Sequence, residues 1–286
     1  MQRHNPRPVS VQHYENFPVA SWLCPRPLRA PVTAIYWFAR VADDIADEGD
    51  ASVEQRLGDL TAYRAELARV AAGQAPAARW AAVFTPLSKA MREHALPPQL
   101  LDDLLDAFVQ DTDNPIYPDR ATLLDYCRRS ADPIGRLLLH LYGIRDEMAL
   151  TRSDAVCSAL QLINFWQDLS VDLPRGRCYL PQDDAARHGL SADAVRAGPA
   201  GPAEKALVRE LCSWAQDLML EGAPLARQIP GRAGWELRLV VQGGLRILEK
   251  IAAMDFATLS QRPALTRWDA PRLLWRALMH APGAAR

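Results

Sequence analysis

Residues 161–172 read Gln161-Leu-Ile-Asn-Phe-Trp-Gln-Asp-Leu-Ser-Val-Asp172, a stretch in which apolar and oxygen-bearing side chains follow a regular spacing. Asn164, Asp168 and Asp172 recur at every fourth position, so in a helix of about 3.6 residues per turn they fall within an arc of roughly 80° on one face. The positions between them are mostly leucine, isoleucine, phenylalanine and tryptophan, which favours burial of the helix. Because carboxylates rarely enter such surroundings without a cation, the stretch predicts a buried helix whose polar row binds a positive partner. An exposed acidic helix face is the alternative for this row taken alone.

A second acidic group, Asp43-Asp44-Ile45-Ala46-Asp47, follows the largely apolar run 34–42. Asp43 and Asp47 are also four residues apart, about 6 Å along a helix axis, so both carboxylates can point in the same direction. If the two helices face each other, their oxygen-bearing side chains meet across a gap. Such a site fits Mg²⁺, a hard ion that is commonly held by carboxylates together with substrate phosphates. Taken alone, acidic residues this close to Gly49 are equally consistent with solvated or capping residues at a helix end.

The composition indicates a globular, mainly helical protein. The chain has 286 residues, 49% of them hydrophobic, and it is rich in alanine, leucine and arginine. Neither strand-like alternation nor an internal repeat is found, so we predict an all-α helical bundle in a single domain over residues 1–286, with residues 1–12 as a flexible arm. The 33 basic and 34 acidic residues give a formal net charge of −1, which gives no support for nucleic acid as a partner.

Prolines and glycines predict where the first helices begin and end. A short helix at about His13–Ser21 is expected to be closed by Pro25 and Pro27. The next helix is expected to run from about Pro31 through the first acidic group and to stop near Gly49.

Three further expectations bear on the site. Asp132-Pro133 should break the helical pattern of residues 122–141. The helix that carries the second acidic row is expected to end at Pro174. A third acidic cluster, in the pattern at 99–111, is interpreted as a solvated face because the leucines there form a stripe on the opposite side. Its members are Asp102, Asp103 and Asp106.

The five cysteines indicate a reduced protein. Their number is odd and no Cys-x-x-Cys pair occurs, so neither a disulfide framework nor a zinc site is suggested. The amino-terminal residues lack an apolar signal segment and no stretch approaches the roughly 18 apolar residues of a membrane span, so the expected location is the cytoplasm. Peripheral contact with the inner membrane through an exposed apolar helix stays open as an alternative.

Several segments resemble those of a known family. Gln161–Asp172 and Tyr36–Asp47 resemble the two aspartate-rich motifs of the squalene/phytoene synthase family. Tyr126-Cys127 and Gly176–Pro181 resemble further family segments in the same order, and the similarity extends from about His13 to the last long helix. The resemblance implies an isoprenoid synthase-like helical bundle with a central cavity, which uses two or three Mg²⁺ ions to act on a prenyl diphosphate.

The residues and the resemblance together assign roles to single positions. The expected catalytic residues are Asp43, Asp47, Tyr126, Asp168 and Asp172. The expected metal ligands are Asp43, Asp44, Asp47, Asn164, Asp168 and Asp172. The expected substrate-binding residues are His13, Tyr36, Arg40, Gln161, Asn164, Phe165, Arg177 and Tyr179. Aromatic rings in this set would stabilise a carbocation without attacking it. A surface arginine in a turn is an equal alternative for Arg177.

The amino-acid sequences of two segments indicate one reaction within the family. The opening His13–Ser21 and the segment Asn164–Asp168 resemble bacterial hydroxysqualene synthases. That resemblance implies that presqualene diphosphate loses diphosphate with the aid of Mg²⁺, that the cation rearranges, and that water captures it without NADPH. Asp132 or a tyrosine hydroxyl is the candidate group for orienting this water.

Two departures from the family pattern leave other reactions open. Gln167 stands where arginine is usual, and Ser130–Pro133 replaces a Val-Ala-Gly segment. Both changes are expected to alter charge or backbone near the diphosphate. The alternatives are a synthase that joins two prenyl diphosphates into presqualene diphosphate, squalene or phytoene, and a non-catalytic assembly factor of the same fold.

Overall fold

The computed structural model describes residues 23–191, 195 and 201–279, and within these ranges it contains helices and no β-strand. The fold is therefore all-α, as predicted. The helices of the amino-terminal half are α1 Arg26–Asp47, α2 Val53–Ala71, α3 Ala81–His94, α4 Pro98–Asp111, α5 Arg120–Ser130 and α6 Asp132–Leu141. Those that follow are α7 Glu147–Gln167, α8 Leu169–Asp172, α9 Gln182–Arg187, α10 Pro202–Gly222, α11 Leu225–Gln228, α12 Gly231–Ala253 and α13 Ala270–Met279. Short 3₁₀ turns occupy Ala78–Trp80 and Leu173–Arg175.

Each acidic motif is carried by a helix whose other faces are buried in a hydrophobic core. Around α1 the core includes Phe38, which is fully buried and stacks on Tyr63 of α2 at a ring-centroid distance of 5.3 Å. The Tyr63 hydroxyl donates a hydrogen bond to the backbone oxygen of Phe38, so this buried polar group is satisfied. Around α7 a second core includes Trp166, and α7 packs most extensively against α10. The apolar flanks of both motifs thus fix the helices in place.

Local sequence signals explain several helix ends. Ser52 and Gln55 form the two reciprocal hydrogen bonds of a capping box at the start of α2. The predicted break at Asp132-Pro133 is confirmed, because Ala131 leaves the helical conformation (φ −123°, ψ −49°) between α5 and α6. Asp132 becomes the first residue of α6, where the proline that follows it needs no hydrogen-bond donor.

The predicted start of the first described helix was wrong. Pro25 and Pro27 were expected to close a preceding helix, but α1 begins at Arg26, directly after Pro25, and Pro27 lies in its first turn. Proline is tolerated there because the first N–H groups of a helix have no partner within it. Pro31, the predicted start, lies inside α1. The expected helix at His13–Ser21 and the expected arm at 1–12 lie outside the described residues.

The predicted end of the second motif helix was also wrong. Helix α7 ends at Gln167, and Asp168 (φ −100°, ψ 10°) forms a bend before the single turn α8. The four-residue hydrogen-bonding rhythm nevertheless continues, since Asp168 N–H donates to the Asn164 oxygen and Asp172 N–H to the Asp168 oxygen, both at 2.9 Å. The polar row therefore passes through the bend rather than lying on one straight helix.

The remaining expectations concern exposure. Asp102 and Asp106 are partly exposed and pair with Arg64 of α2, and Asp103 accepts a hydrogen bond from Gln99, so the solvated face of α4 is confirmed. All five cysteines are buried and unpaired with one another. No helix among the described residues is long and apolar enough to cross a membrane.

Close packing of α7 and α10 should make Gly222→Ala destabilising. A Cβ atom at Gly222 would lie 2.5 Å from the Arg152 backbone oxygen and 2.8 Å from the Val156 nitrogen, and neither backbone atom can move freely. We expect a loss of about 1–3 kcal/mol in the free energy of unfolding, measured by urea denaturation.

The matched control is Gly58→Ala. Gly58 lies exposed inside α2, with no atom within 4 Å of an added Cβ. This variant should gain about 0.5–1 kcal/mol, because alanine loses less backbone entropy in a helix. Equal effects of the two substitutions would contradict the close approach at Gly222.

Candidate active site

A polar pocket lies between α1, α4, α5 and α7. On α1, Tyr36, Arg40, Asp43 and Asp47 recur at intervals of three or four residues and therefore share one face, which lines the pocket. The other walls contribute Phe108, Asp111, Tyr126, Ser130, Gln161, Arg177 and Tyr179. The pocket thus combines the first acidic motif with the start of the second.

An apolar cavity of about 250 Å³ adjoins this pocket. Tyr36 and Ala39 line both spaces, so the two meet along α1. The cavity wall is formed mainly by aliphatic side chains of α1, α6, α7, α11 and α12, among them Val32, Ile35, Ile134, Leu138, Val156, Leu237 and Val240. A polar pocket and an apolar cavity side by side can accommodate a molecule with a charged head and a hydrocarbon tail.

Arginine side chains contact the first acidic row. Arg40 lies 3.3 Å from a carboxylate oxygen of Asp43 and 2.6 Å from one of Asp44. Asp47 accepts a hydrogen bond from Arg177, which follows α8. Burial raises the pKa of Asp43 to about 6, while Arg40 opposes the rise and Asp47 adds to it. The row is a set of crowded carboxylates whose repulsion the arginines offset.

The second acidic row lies on both sides of the bend at Asp168. The Asp168 carboxylate pairs with Arg262, whose Nη2 donates to Oδ2 at 3.2 Å. Burial and the neighbouring Asp168 raise the pKa of Asp172 to about 6, against the opposing effect of Arg177. Asn164 is half-buried on α7 one turn earlier. Neither Asp168 nor Asp172 is among the residues that line the polar pocket.

The two rows approach each other through Arg177. This guanidinium pairs with Asp47 of the first row and lowers the pKa of Asp172 in the second, while the Asp47 charge raises that pKa. Asp47 and Asp172 are therefore close enough to interact electrostatically, with Arg177 between them. The ends of the two acidic rows, Asp47 and Asp172, therefore lie near each other in the tertiary structure.

The donor set of both rows fits Mg²⁺, although no metal site is preassembled. In the described part of the chain, no three histidine, cysteine, aspartate or glutamate side chains are grouped closely enough to hold a metal ion. The available groups are carboxylate oxygens, which Mg²⁺ prefers, and the raised pKa values of Asp43 and Asp172 reflect burial of charge that a cation would relieve. The metal roles of both rows stay a prediction.

Asp111 is a pocket residue that the sequence analysis missed. It is the last residue of α4, lines the polar pocket, and accepts a hydrogen bond from the Tyr126 hydroxyl at 2.9 Å. Burial raises the pKa of Asp111 to about 7, and this hydrogen bond opposes the rise. The available signal was its register, because Asp111 follows Leu104 and Phe108 on the apolar stripe instead of sharing the solvated face.

Aromatic rings form one wall of the pocket. The rings of Phe165 and Tyr179 stack at 3.7 Å between centroids with 6° between planes, and Tyr126 lies 6.0 Å from Tyr179. Burial raises the pKa of the Tyr126 and Tyr179 hydroxyls, so both stay neutral at physiological pH. Phe165, expected to bind substrate, is not among the residues that line either space; it supports Tyr179.

The unusual Gln167 anchors the chain rather than lining the pocket. Its side chain is buried and donates a hydrogen bond to the Pro263 backbone oxygen at 2.7 Å. Neighbouring Arg262 pairs with Asp168 and supplies a positive charge that the sequence analysis missed. No local pattern could have indicated this pair, since 94 residues separate its members.

The candidates for orienting water differ in position. Asp132 is buried and accepts a hydrogen bond from Ser158 at 2.9 Å, and it is not among the residues that line the pocket or the cavity. Tyr126 lines the pocket, and its hydroxyl donates a hydrogen bond to Asp111.

His13, expected to bind substrate, lies outside the described residues.

Comparison with known proteins finds similar proteins whose names are those of related synthases. A 33% identical relative from Sinorhizobium fredii is named hydroxysqualene synthase, and the match covers 87% of this chain and 82% of that protein. A presqualene diphosphate synthase from Rhodopseudomonas palustris is 30% identical over 85% of both chains. The solved structure of a squalene synthase from Alicyclobacillus acidocaldarius is 36% identical, covers 85% of this chain and 90% of that chain, and superposes with a TM-score of 0.78.

The model of one protein family, described as squalene/phytoene synthase, matches residues 10–269. This range contains both acidic rows, the polar pocket and the adjoining cavity. The chain belongs to the squalene/phytoene synthase family, whose members process isoprenoid diphosphates.

Proposed function

We propose that the protein is a hydroxysqualene synthase, which converts presqualene diphosphate and water into hydroxysqualene and diphosphate. The supporting observation is the polar pocket that meets an apolar cavity along α1, at Tyr36 and Ala39. This arrangement suits a substrate with a diphosphate head and long hydrocarbon tails. The amino-acid sequence of the second motif favours this reaction within the family. So does the relative from Sinorhizobium fredii, which is named hydroxysqualene synthase.

The two acidic rows are proposed to bind the diphosphate through Mg²⁺. The ligands would be Asp43, Asp44, Asp47, Asn164, Asp168 and Asp172. When bound, Mg²⁺ supplies Lewis acidity that stabilises negative charge on the departing diphosphate oxygens. Crowded carboxylates repel one another in a partly buried site, so cation and diphosphate should bind together.

The arginines beside these rows are proposed to bind the diphosphate directly. Arg40 and Arg177 line the pocket and contact the first acidic row. A guanidinium group can form two parallel hydrogen bonds to phosphate oxygens, so both side chains can exchange carboxylate partners for the leaving group. That exchange would also free Asp47 to act as a ligand.

The walls of the two spaces are proposed to protect the carbocation until water reaches it. Most of the cavity lining is aliphatic and cannot attack a cation, and burial raises the pKa of its Cys24 and Cys157 thiols, which keeps them protonated. The neutral rings of Tyr126 and Tyr179 can stabilise positive charge. Departure of diphosphate breaks one carbon–oxygen bond, and attack by water forms another and releases a proton. Tyr126, hydrogen-bonded to Asp111, is the proposed group for orienting that water, since it lines the pocket and Asp132 does not.

A head-to-head synthase of the same family is the second candidate. The specific observation in its favour is the presqualene diphosphate synthase of Rhodopseudomonas palustris, which matches this chain almost as well as the hydroxysqualene synthase of Sinorhizobium fredii. A non-catalytic assembly factor is less favoured, because both acidic rows are retained.

The product formed from presqualene diphosphate tests the proposal. With Mg²⁺ and no NADPH, we expect hydroxysqualene, identified by mass spectrometry of the extracted C30 alcohol. A parallel reaction with farnesyl diphosphate alone should yield no C30 product. Formation of presqualene diphosphate in that second reaction, or of squalene when NADPH is added to the first as a reductant, would replace the proposed reaction with the alternative.

Asp168→Asn should lower turnover of presqualene diphosphate by about 100-fold or more, because it removes one carboxylate charge from the site where the leaving group is stabilised. The rate is measured by diphosphate release at saturating substrate. Asp103→Asn is the matched control, since Asp103 is partly exposed on the solvated face of α4, where it accepts a hydrogen bond from Gln99. Near-normal turnover of Asp168→Asn with an unchanged circular dichroism spectrum would eliminate the proposed role.

Asp111→Asn tests the residue that the sequence analysis missed. The amide can still accept the Tyr126 hydrogen bond but carries no charge, so the Mg²⁺ concentration for half-maximal turnover should rise by about tenfold if the Asp111 charge attracts cations to the pocket. Tyr126→Phe removes the hydrogen bond and keeps the carboxyl group; because loss of this bond raises the pKa of Asp111 further, the three proteins are compared at a pH well above 7, where the carboxylate stays charged and this variant should leave the Mg²⁺ concentration unchanged. The same Mg²⁺ dependence in wild type and Asp111→Asn would contradict an electrostatic role for Asp111.

A further inference from the structure

The last described helix exposes its apolar side to solvent. On α13, Leu274, Trp275, Leu278 and Met279 are 50–63% exposed, and Trp268, just before the helix, is 76% exposed. A surface helix ordinarily buries its apolar stripe and exposes its charged one. We call these five side chains the α13 patch.

The charged side of α13 holds the helix to the protein. Arg276 is only 11% exposed and pairs with Glu249 of α12, and Arg272 lies 3.1 Å from the same carboxylate. Asp269 is buried and pairs with Arg246 and Lys250 of α12, each at 2.8 Å. Ion pairs therefore orient α13 so that its apolar residues face outward. A contiguous apolar patch of this kind marks an interaction surface.

The charges around the patch select the kind of partner. From Arg262 to Met279 the chain carries four arginines and one aspartate, and the net charge is +3 also when their ion-pair partners Asp168, Glu249, Arg246 and Lys250 are included. Arg267 is exposed with its guanidinium 5.0 Å from the centre of the Trp268 ring, and Arg272 is about half exposed. Tryptophan and arginine at the edge of an apolar surface suit the headgroup region of an anionic bilayer. A second copy would bring the same positive charges together, which disfavours self-association through this face.

We propose that the α13 patch is a membrane-docking surface, which inserts Trp268, Leu274, Trp275, Leu278 and Met279 into the interface of a bilayer of anionic phospholipid. The helix would lie in the plane of the bilayer, since no helix among those described can span it. The ion pairs to Glu249 and Asp269 hold this face outward before contact, so docking requires no rearrangement of the bundle. This surface is independent of the reaction assigned to the polar pocket.

Flotation of the full-length protein with vesicles tests the proposal. One set of vesicles contains equal amounts of phosphatidylglycerol and phosphatidylcholine, and the other contains phosphatidylcholine alone. Wild type should float with the first set and much less with the second, and added salt should weaken binding because it screens the charges. In the triple variant Leu274→Gln, Trp275→Gln, Leu278→Gln, three apolar side chains no longer enter the bilayer. Its affinity for the anionic vesicles should therefore fall by about tenfold or more.

A matched triple variant controls for general loss of apolar surface. Val53, Ile116 and Met148 are 48–59% exposed and lie away from α13 in sequence, so Val53→Gln, Ile116→Gln, Met148→Gln should bind like wild type. Thermal unfolding of both variants checks that each remains folded.

Three results would overturn the proposal. They are wild-type binding by the α13 variant, equal binding of wild type to neutral and anionic vesicles, and a wild-type dimer that binds no vesicles and dissociates in the α13 variant. The last result would assign the patch to a second copy of the chain. Because flotation is read without substrate, none of these outcomes bears on the reaction proposed for the pocket.

Discussion

Crowded, partly buried carboxylates beside an apolar cavity are the feature on which the rest of the structure depends. Burial raises the pKa of Asp43, Asp111 and Asp172, so each is less stable as an anion than it would be in water. Arg177 and Arg262 reach the acidic rows from outside the two motif helices and offset this repulsion. The same arrangement prepares the site for a more highly charged occupant, because cations and a diphosphate can replace these internal pairs.

Helix α1 combines the two properties that the proposed substrate requires. Its acidic residues line the polar pocket, and residues one to three turns earlier line the apolar cavity. Tyr36 belongs to both, so the boundary between charged and hydrocarbon surroundings falls at a single turn of one helix. The core formed by Phe38 and its neighbours on the opposite face keeps this boundary fixed. Ionisation of a prenyl diphosphate at such a boundary would separate the leaving group from the cation that it leaves behind.

The carboxyl-terminal segment connects the site to the surface of the molecule. Gln167 binds the backbone at Pro263, and Arg262 pairs with Asp168 at the bend after α7. The same segment continues into α13, whose ion pairs with Glu249 fix an apolar face outward. One stretch of chain therefore stabilises the second acidic row at one end and presents the proposed docking surface at the other.

The sequence by itself determined the helical class, the break at Asp132 and the acidic residues of both motifs, because each depends on spacing or backbone chemistry within a few residues. It misplaced the start of α1 and the end of α7, since proline is accepted in a first turn and the bend at Asp168 keeps the hydrogen-bonding rhythm of a helix. Only the tertiary structure decided that the rows converge through Arg177, that Asp111 enters the pocket and that Arg262 pairs with Asp168. Those contacts join residues far apart in the chain, where burial and charge depend on packing that no local pattern encodes.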